Sequence, residues 1–364
     1  MMVETDQEAS RERRYDSVIV TGGTGFLGLH ACQYFRDRGW DVTAFDLKPF
    51  DDEDDTAGIG FVRGDVRDEE RVADAIEAAD ADVIVHSAAA LPLWDDDVIR
   101  EVTVDGTRSV LWAARDHGVD RVVYVSSTAV YGTHDAHPIT EKSPLDGVGP
   151  YGEAKIEAEK VCEDFRRMGM CVPILRPKTF VGPQRLGVFQ ILFDWVEDGA
   201  NVPLVGWGTN QYQLLHVDDL VRAIGLLTDV DADAANETYN VGATEFETMK
   251  SDFQAVIDEA GTGKRVIGTP ALLAVLALRV LNALDLSPLY PWVYETAHED
   301  SYVSVEKLRE LGWEPEYSNE EALVDTYRWY LENYEERGDR TGRDHRVAWD
   351  QGALKLAKFA FKRI

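Results

Sequence analysis

Lysine is scarce in this chain. It supplies 11 of the 37 basic side chains, and against 67 acidic ones this leaves a formal net charge of −30 over 364 residues. Such a balance argues against a duplex nucleic-acid partner, because neutralising phosphates takes a basic face. It resembles the acid-rich surface of a salt-adapted cytoplasmic protein, although charge speaks to solubility and not to fold. Cysteine is rare too. Cys32, Cys162 and Cys171 fall in apolar or helical surroundings without metal-ligand spacing, so buried thiols in a reducing compartment are expected, and no metal. Long apolar runs are lacking as well: residues 271–286 make the most apolar stretch, but 16 residues with Arg279 inside them are too few to cross a bilayer. Residues 1–16 are charged and have no apolar core, which excludes a secretory signal and predicts a disordered leader over 1–15.

What is present is alternation. Apolar runs at 17–20, 41–45, 60–63, 83–87, 122–126 and 172–176 predict strands, and helical patterns fall at 26–38, 69–79, 101–117 and 151–168. Strand and helix in turn predict an α/β fold, a doubly wound parallel sheet with helices on both faces. Ligands in such sheets sit beyond the strands' carboxyl ends. After about Pro177 glycine and proline become frequent, then helix-like segments dominate. The expected organisation is a Rossmann-type domain over 16–177, a smaller, mostly helical substrate-binding part interleaved with it over 178–335, and a tail over 336–364.

The first strand runs directly into Thr21-Gly22-Gly23-Thr24-Gly25-Phe26-Leu27-Gly28, which opens a helix. Gly22, Gly25 and Gly28 allow a tight turn and a close approach of backbone to a pyrophosphate, and the helix N-terminus offers unpaired N–H groups. This predicts a dinucleotide site. Asp46, at the end of the second strand, stands near the offset at which a carboxylate meets the adenosine ribose. It would accept from a 2′-hydroxyl and repel a 2′-phosphate, so NAD is favoured over NADP. Asp65 and Val66 follow the third strand, within reach of adenine. Ser87, Ala88 and Ala89 follow the fourth, where small side chains let a cofactor lie against backbone.

Tyr151 and Lys155 lie four residues apart, on one face of a predicted helix. Composition alone would give such a pair roughly 0.4 times in a chain like this, so position has to carry it. It follows the fifth strand and its Ser126-Ser127-Thr128 end. A phenol titrates near about 10, too high for a base at neutral pH, and a neighbouring ammonium together with a cationic nicotinamide is expected to lower it. Ser127 would hold the substrate oxygen.

Together with Gly64-Asp65, His86-Ser87-Ala88-Ala89, Val125 to Gly132, Arg176-Pro177, Gly182-Pro183, His216-Val217-Asp218-Asp219 and Leu311 to Pro315, these motifs resemble the extended short-chain dehydrogenases/reductases of the NAD-dependent epimerase/dehydratase family. The resemblance covers about residues 17–335. It implies NAD as cofactor, Ser127, Tyr151 and Lys155 as the catalytic set, with Thr128 as the fallback hydroxyl, and a homodimer.

The chain also departs from that pattern. Sugar-nucleotide 4,6-dehydratases of the family carry Asp-Glu where Thr128-Ala129 stand, so dehydration is disfavoured. Thr103 replaces the Asn of an Asn-Val-x-Gly-Thr stretch. Thr179 and Tyr212 stand where many sugar-nucleotide members have Asn and a phosphate-pairing Arg, which weakens a nucleotide-sugar substrate. Arg176, Arg185 and Arg222 are left as alternative phosphate partners, and Thr128, Thr179, Tyr212 and Arg185 as candidate substrate contacts. The apolar stretch 271–286 is expected to be buried or to form a lid over the active site. Hydride transfer at a secondary alcohol or ketone follows, leaning toward a 3β-hydroxysteroid-dehydrogenase-like enzyme for a bulky, partly apolar alcohol. A UDP-glucose 4-epimerase-like enzyme is the alternative, and an idle, NAD-binding regulatory protein the third reading. The last 28 residues hold 8 basic and 3 acidic side chains. From Ala353 a helix would set Lys355, Lys358 and Lys362 opposite Leu354, Ala357, Ala360, Phe361 and Ile364, suited to an anionic membrane surface or to docking on the protein itself.

Overall fold

The computed structural model describes residues 14–90, 94–184, 186–284, 291–333, 341–342 and 348–349, with Leu354, Lys358, Phe361 and Lys362 of the tail. Its centre is a parallel sheet built from β1 (Ser17–Thr21), β2 (Asp41–Asp46), β3 (Ile59–Arg63), β4 (Val83–His86), β5 (Arg121–Val125) and β6 (Ile174–Pro177). A seventh strand, Thr238–Val241, pairs parallel with β6 and completes the order Thr238–Val241, β6, β5, β4, β1, β2, β3. This strand comes from inside the stretch expected to form the substrate part, yet it lies at the edge of the first sheet.

Both faces of the sheet are covered, which is why its strands read as near-continuous apolar runs. With side chains alternating along each strand, Val18, Val20, Val42, Ala44, Val83 and Val85 face α1 (Phe26–Asp37) and the helix Val217–Asp229. Ile19, Phe45, Ile84, Val122 and Tyr124 face the opposite layer. That layer consists of α2 (Glu69–Ala79), α3 (Asp96–Arg100), α4 (Gly106–Asp116) and α5 (Gly149–Arg167). Between α3 and α4 the chain widens into a π-helical turn, Glu101–Asp105, where one unbroken helix was expected. The Thr107 hydroxyl donates to the Thr103 carbonyl at 2.5 Å there, and Gly106 lies against Val66, whose Cγ2 would stand 2.7 Å from an added Cβ.

A third core cluster joins helices Phe189–Glu197, Met249–Glu259 and Asn319–Glu332 with a small parallel pair, Val202–Val205 and Val266–Thr269. The last of these helices starts on a reciprocal cap between Ser318 and Glu321.

Three terminal and peripheral expectations meet the structure differently. Tyr15, counted with the leader, is 4% exposed in the first core cluster, whereas residues 1–13 lie outside the described residues. The helix Ala271–Ala283 is not buried: Leu278 is its one buried residue, while Leu272, Leu273, Leu276 and Val280 are exposed. It touches the strand Val202–Val205 and the helix Pro291–Thr296, and contributes nothing to the cleft described below. The described tail residues dock on the protein itself. Leu354 and Phe361 pack on the third cluster, Lys358 pairs with Asp198, and the Asn201 N–H donates to the Phe361 carbonyl at 3.2 Å. None of the described helices is long and apolar enough to cross a membrane.

Candidate active site

Between β1 and β4 the chain reverses its direction of travel across the sheet, and the strand ends open there into a crevice. A cleft of about 510 Å³ occupies this position. Of the residues singled out above, the candidate cofactor, catalytic and substrate contacts line it, whereas Arg176 and Arg222, named as phosphate partners, do not. Arg185 lies outside the described residues.

The glycine turn forms the floor. Gly22 has φ +68°, in the left-handed region, and an added Cβ would stand 2.9 Å from the Ala88 backbone. At Gly28 the approach is closer still, since an added Cβ would stand 2.0 Å from the Gly22 carbonyl oxygen. The turn is pinned from below. The Gly22 N–H donates to the Phe45 carbonyl at 2.9 Å, the Ser87 hydroxyl to the Thr21 carbonyl at 2.7 Å, and Asp46 Oδ2 accepts from the Thr24 N–H at 3.2 Å. Asp46 therefore braces the turn as well as facing the cleft. α1 begins at Gly25 without a side-chain cap, so nothing from its own N-cap covers the first N–H groups. A pyrophosphate fits this cradle, since Cβ atoms are missing where it must approach and a helix N-terminus opens there.

Neighbouring groups are held for the same end. His86 is fully buried between the Thr21 hydroxyl (2.7 Å) and the Thr107 hydroxyl (3.0 Å), and burial pushes its pKa down to about 3. It is a neutral brace. Asp65 is clamped by Arg67 at 2.7 Å, which holds its carboxyl below the usual range even though burial opposes this.

Tyr151 and Lys155 stand in the first turns of α5, and Lys155 reaches the end of β5. Lys155 is 2% exposed, and its Nζ donates to the Val125 carbonyl at 2.8 Å. It stands 5.9 Å from the centre of the Tyr151 ring. Burial pushes the ammonium down to about 8, against the pull of Glu159. The ammonium by itself does not lower the phenol. Burial raises Tyr151 to about 12, and the Ser127 hydroxyl, not the ammonium, works the other way. Ser127 Oγ accepts from the Ala129 N–H at 3.1 Å, and its own hydrogen is directed at the Tyr151 phenol. Thr128 donates to the Pro177 carbonyl at 3.2 Å, so its hydrogen is committed. Ser127 is the better placed of the two hydroxyls.

Beneath the cleft, Arg176 is buried with Glu159 at 2.5 Å and donates to the Tyr131 hydroxyl at 2.8 Å. Arg222 pairs with Asp219 and Glu316. Both were expected as alternative phosphate partners, and both are taken up by carboxylates. Among the described lining residues the cations are Lys48, Lys155 and Lys178, with no arginine. Thr179 and Tyr212 share a hydrogen bond at 2.9 Å.

Several lining residues escaped the sequence reading: His134, His137, Lys178, Glu299, Asp300 and Ser301. The last three arrive from far away in the chain, where Tyr212 bridges to Ser301. Glu299 and Asp300 also correct an expectation, since carboxyl groups do face the cleft although none stands at Thr128-Ala129. Lys178, next to Arg176-Pro177, was the one with a local signal.

A sheet of this order, a glycine turn at its switch point and a Tyr-x-x-x-Lys helix beside it define a dinucleotide-dependent enzyme class. The chain matches the NAD dependent epimerase/dehydratase family over residues 18–242 and belongs to it. It is 35% identical over 351 residues, 96% of this chain and 87% of the other, to uncharacterized protein y4nG of Sinorhizobium fredii. It is 28% identical, over 84% of this chain and 97% of the other, to a 2-alkyl-3-oxoalkanoate reductase of Stenotrophomonas maltophilia. Two solved structures are similar. A UDP-glucose 4-epimerase of Thermus thermophilus in complex with NAD superposes with a TM-score of 0.71 at 26% identity, covering 86% of this chain and 98% of that one. A dTDP-glucose 4,6-dehydratase of Streptomyces venezuelae with NAD bound gives 0.70 at 28% identity, with 87% and 98% covered.

Proposed function

We propose that this chain transfers a hydride between NAD and the carbon of a secondary alcohol or ketone, with Tyr151 as proton donor and acceptor. The observation that carries this reading is the shared cleft, in which the Ser127 hydroxyl, the Tyr151 phenol and the Lys155 ammonium meet the open end of the glycine turn. Gly22, Gly25 and the N-terminus of α1 would receive the pyrophosphate, Asp46 the adenosine ribose, and Lys155 the nicotinamide ribose. NAD supplies the hydride acceptor and, when oxidised, a positive charge. Ser127 donates to the substrate oxygen and fixes it beside the phenol. Tyr151 takes the hydroxyl proton during oxidation and returns it during reduction. Its raised pKa keeps the phenol protonated until a positive charge arrives, and Lys155 then stabilises the phenolate.

For the substrate, a free alcohol or ketone with a bulky, partly apolar body is the first reading. Its support is the lack of an arginine among the described lining residues, while the exposed helix Ala271–Ala283 lends it none. Epimerisation of a nucleotide sugar is the second reading, supported by the likeness to UDP-glucose 4-epimerases. Elimination of water is disfavoured at Thr128-Ala129, yet Glu299 and Asp300 supply carboxyl groups in the same cleft and the family includes dehydratases. A homodimer through α4 and α5 stays part of the proposal. The test is Tyr151→Phe. NAD binding by calorimetry should persist, while reduction of NAD by secondary alcohols, read from nicotinamide absorbance, should fall by about 10²-fold or more. Unchanged turnover would remove Tyr151 from the chemistry, and no turnover by the native chain on any alcohol or nucleotide sugar would favour the idle regulatory protein.

A further inference from the structure

Lys178 has no role in the hydride step, yet it is 4% exposed and lines the cleft. Its backbone N–H is tied to the Val241 carbonyl at 2.9 Å, which fixes the residue at the exit of β6. The Nζ donates to Ser301 Oγ at 2.6 Å and stands 4.7 Å over the Tyr212 ring. No carboxylate pairs with it among the described residues, and burial alone pushes its pKa down to about 7. A buried ammonium without a counter-ion is costly, and proteins rarely keep one without use.

Two further nitrogens share its surroundings. His134 and His137 follow β5, line the same cleft, and each has an Nε2 shielded from solvent with no hydrogen-bond partner. Lys178 and His134 both press the His137 titration downward, after burial, while Asp300 opposes them, so the three nitrogen groups lie within electrostatic reach of one another. Ser301 accepts from Lys178 and keeps its own hydrogen to give. Asp300 is occupied in part by the Gln211 N–H at 2.8 Å. This end of the cleft thus offers several donors to a ligand, and among its described residues there is no arginine fork of the kind that suits phosphate.

We propose that the substrate carries a carboxylate, which seats on Lys178 with His134, His137 and the Ser301 hydroxyl around it while the reacting carbon lies at Tyr151. This inference rests on the hydride-transfer reading for the position of the reacting carbon. A carboxylate fits because it gives the ammonium its missing partner and offers acceptors enough for the unfilled nitrogens. Two kinds of molecule bring that group: a hydroxy or oxo acid, as the name of the reductase relative describes, and a uronic acid on a nucleotide.

Matched ligands separate these sources. NAD-loaded, full-length protein is titrated calorimetrically with 3-hydroxydecanoate against 2-nonanol, and with UDP-glucuronate against UDP-glucose. The acid of one pair should bind at least about tenfold more tightly than its neutral partner, the scale of one charge-assisted hydrogen bond. Lys178→Met, which removes a buried charge without adding bulk, should bring that ratio to about unity, and His137→Asn should reduce it. No preference for the acid in either pair overturns the proposal, as does a preference that Lys178→Met leaves intact. Because binding is read without turnover, acid preference in a chain that moves no hydride would sink the catalytic reading alone. Turnover of neutral alcohols with no acid preference would sink the carboxylate alone.

Discussion

The Nζ of Lys155 sits 2.8 Å from the Val125 carbonyl, and the same atom stands 5.9 Å from the centre of the Tyr151 ring. The ammonium is thus moored to the end of β5, one helical turn from the phenol, and is not in contact with the phenolic oxygen through a direct pair. On the proposed reading it acts on Tyr151 through space and through the nicotinamide ribose. Lys155→Met should therefore leave the fold in place but lower hydride transfer by about 10²–10⁴-fold, with weakened NAD affinity. Single-turnover kinetics with secondary alcohols and calorimetry with NAD would check both, and unchanged rates would break the assignment.

The two burial effects set different pH dependences for the two directions. With Tyr151 raised to about 12, the phenol is protonated at neutral pH, which suits ketone reduction. Oxidation needs the phenolate, whose fraction grows about tenfold per pH unit below its apparent pKa. Oxidation should rise with pH through neutrality, while reduction should stay flat over the same range. Above about 8 the free protein's Lys155 loses its proton, so the oxidation profile should bend there. Parallel pH profiles for the two directions would contradict this pairing.

Asp46 both faces the cleft and holds the Thr24 N–H at 3.2 Å. Asp46→Ala should raise NADP use relative to NAD by about tenfold or more, because a carboxylate no longer repels the 2′-phosphate. Absolute NAD affinity should fall too, since the turn loses a brace. Initial rates with each cofactor measure the ratio. A ratio that does not move would mean that Asp46 serves the turn alone.

Glu159 accepts from Ser126 at 2.5 Å and from Arg176 at 2.9 Å, both buried. Glu159→Gln would strand the Arg176 guanidinium, and breaking a buried pair this way costs about 3–5 kcal/mol. Denaturant unfolding should show a loss of that order, with NAD affinity of the surviving fold little changed. A loss below about 1 kcal/mol would make this pair no stronger than an exposed one.

Lys178 supplies a stability test with the opposite sign. Its folded pKa of about 7 lies below the value of about 10.4 that an unfolded lysine shows, so the unfolded chain binds more protons between them. This group alone makes stability rise as pH climbs through that window and gives its full penalty below it. Lys178→Met should raise Tm near neutral pH by a few degrees and flatten that rise. A lower Tm would mean that the ammonium has a partner the unliganded fold depends on.

Local pattern was enough wherever neighbours in the chain decide the outcome. The strand at Ser17–Thr21, the glycine turn, the helix from Phe26 and the Tyr151–Lys155 spacing follow from apolar periodicity, glycine's missing Cβ and the pitch of a helix. Thr238–Val241 went unseen because four residues, two of them polar, become a strand only by pairing with β6. The apolar stretch after Pro270 promised burial, and the fold left one face of it open.

From its residue order alone, this chain determines the doubly wound sheet, the cradle for a dinucleotide and a phenol–amine pair beside it, since each depends on contacts a few residues long. The far side of the cleft was decided only in three dimensions. His134 and His137 reach it on a loop whose Ile139 N–H is held by the Tyr302 carbonyl at 3.0 Å, and Ser301 meets Lys178 across 123 positions of chain. Such contacts leave no periodicity behind, because they are selected by packing and charge between segments that the sequence keeps apart.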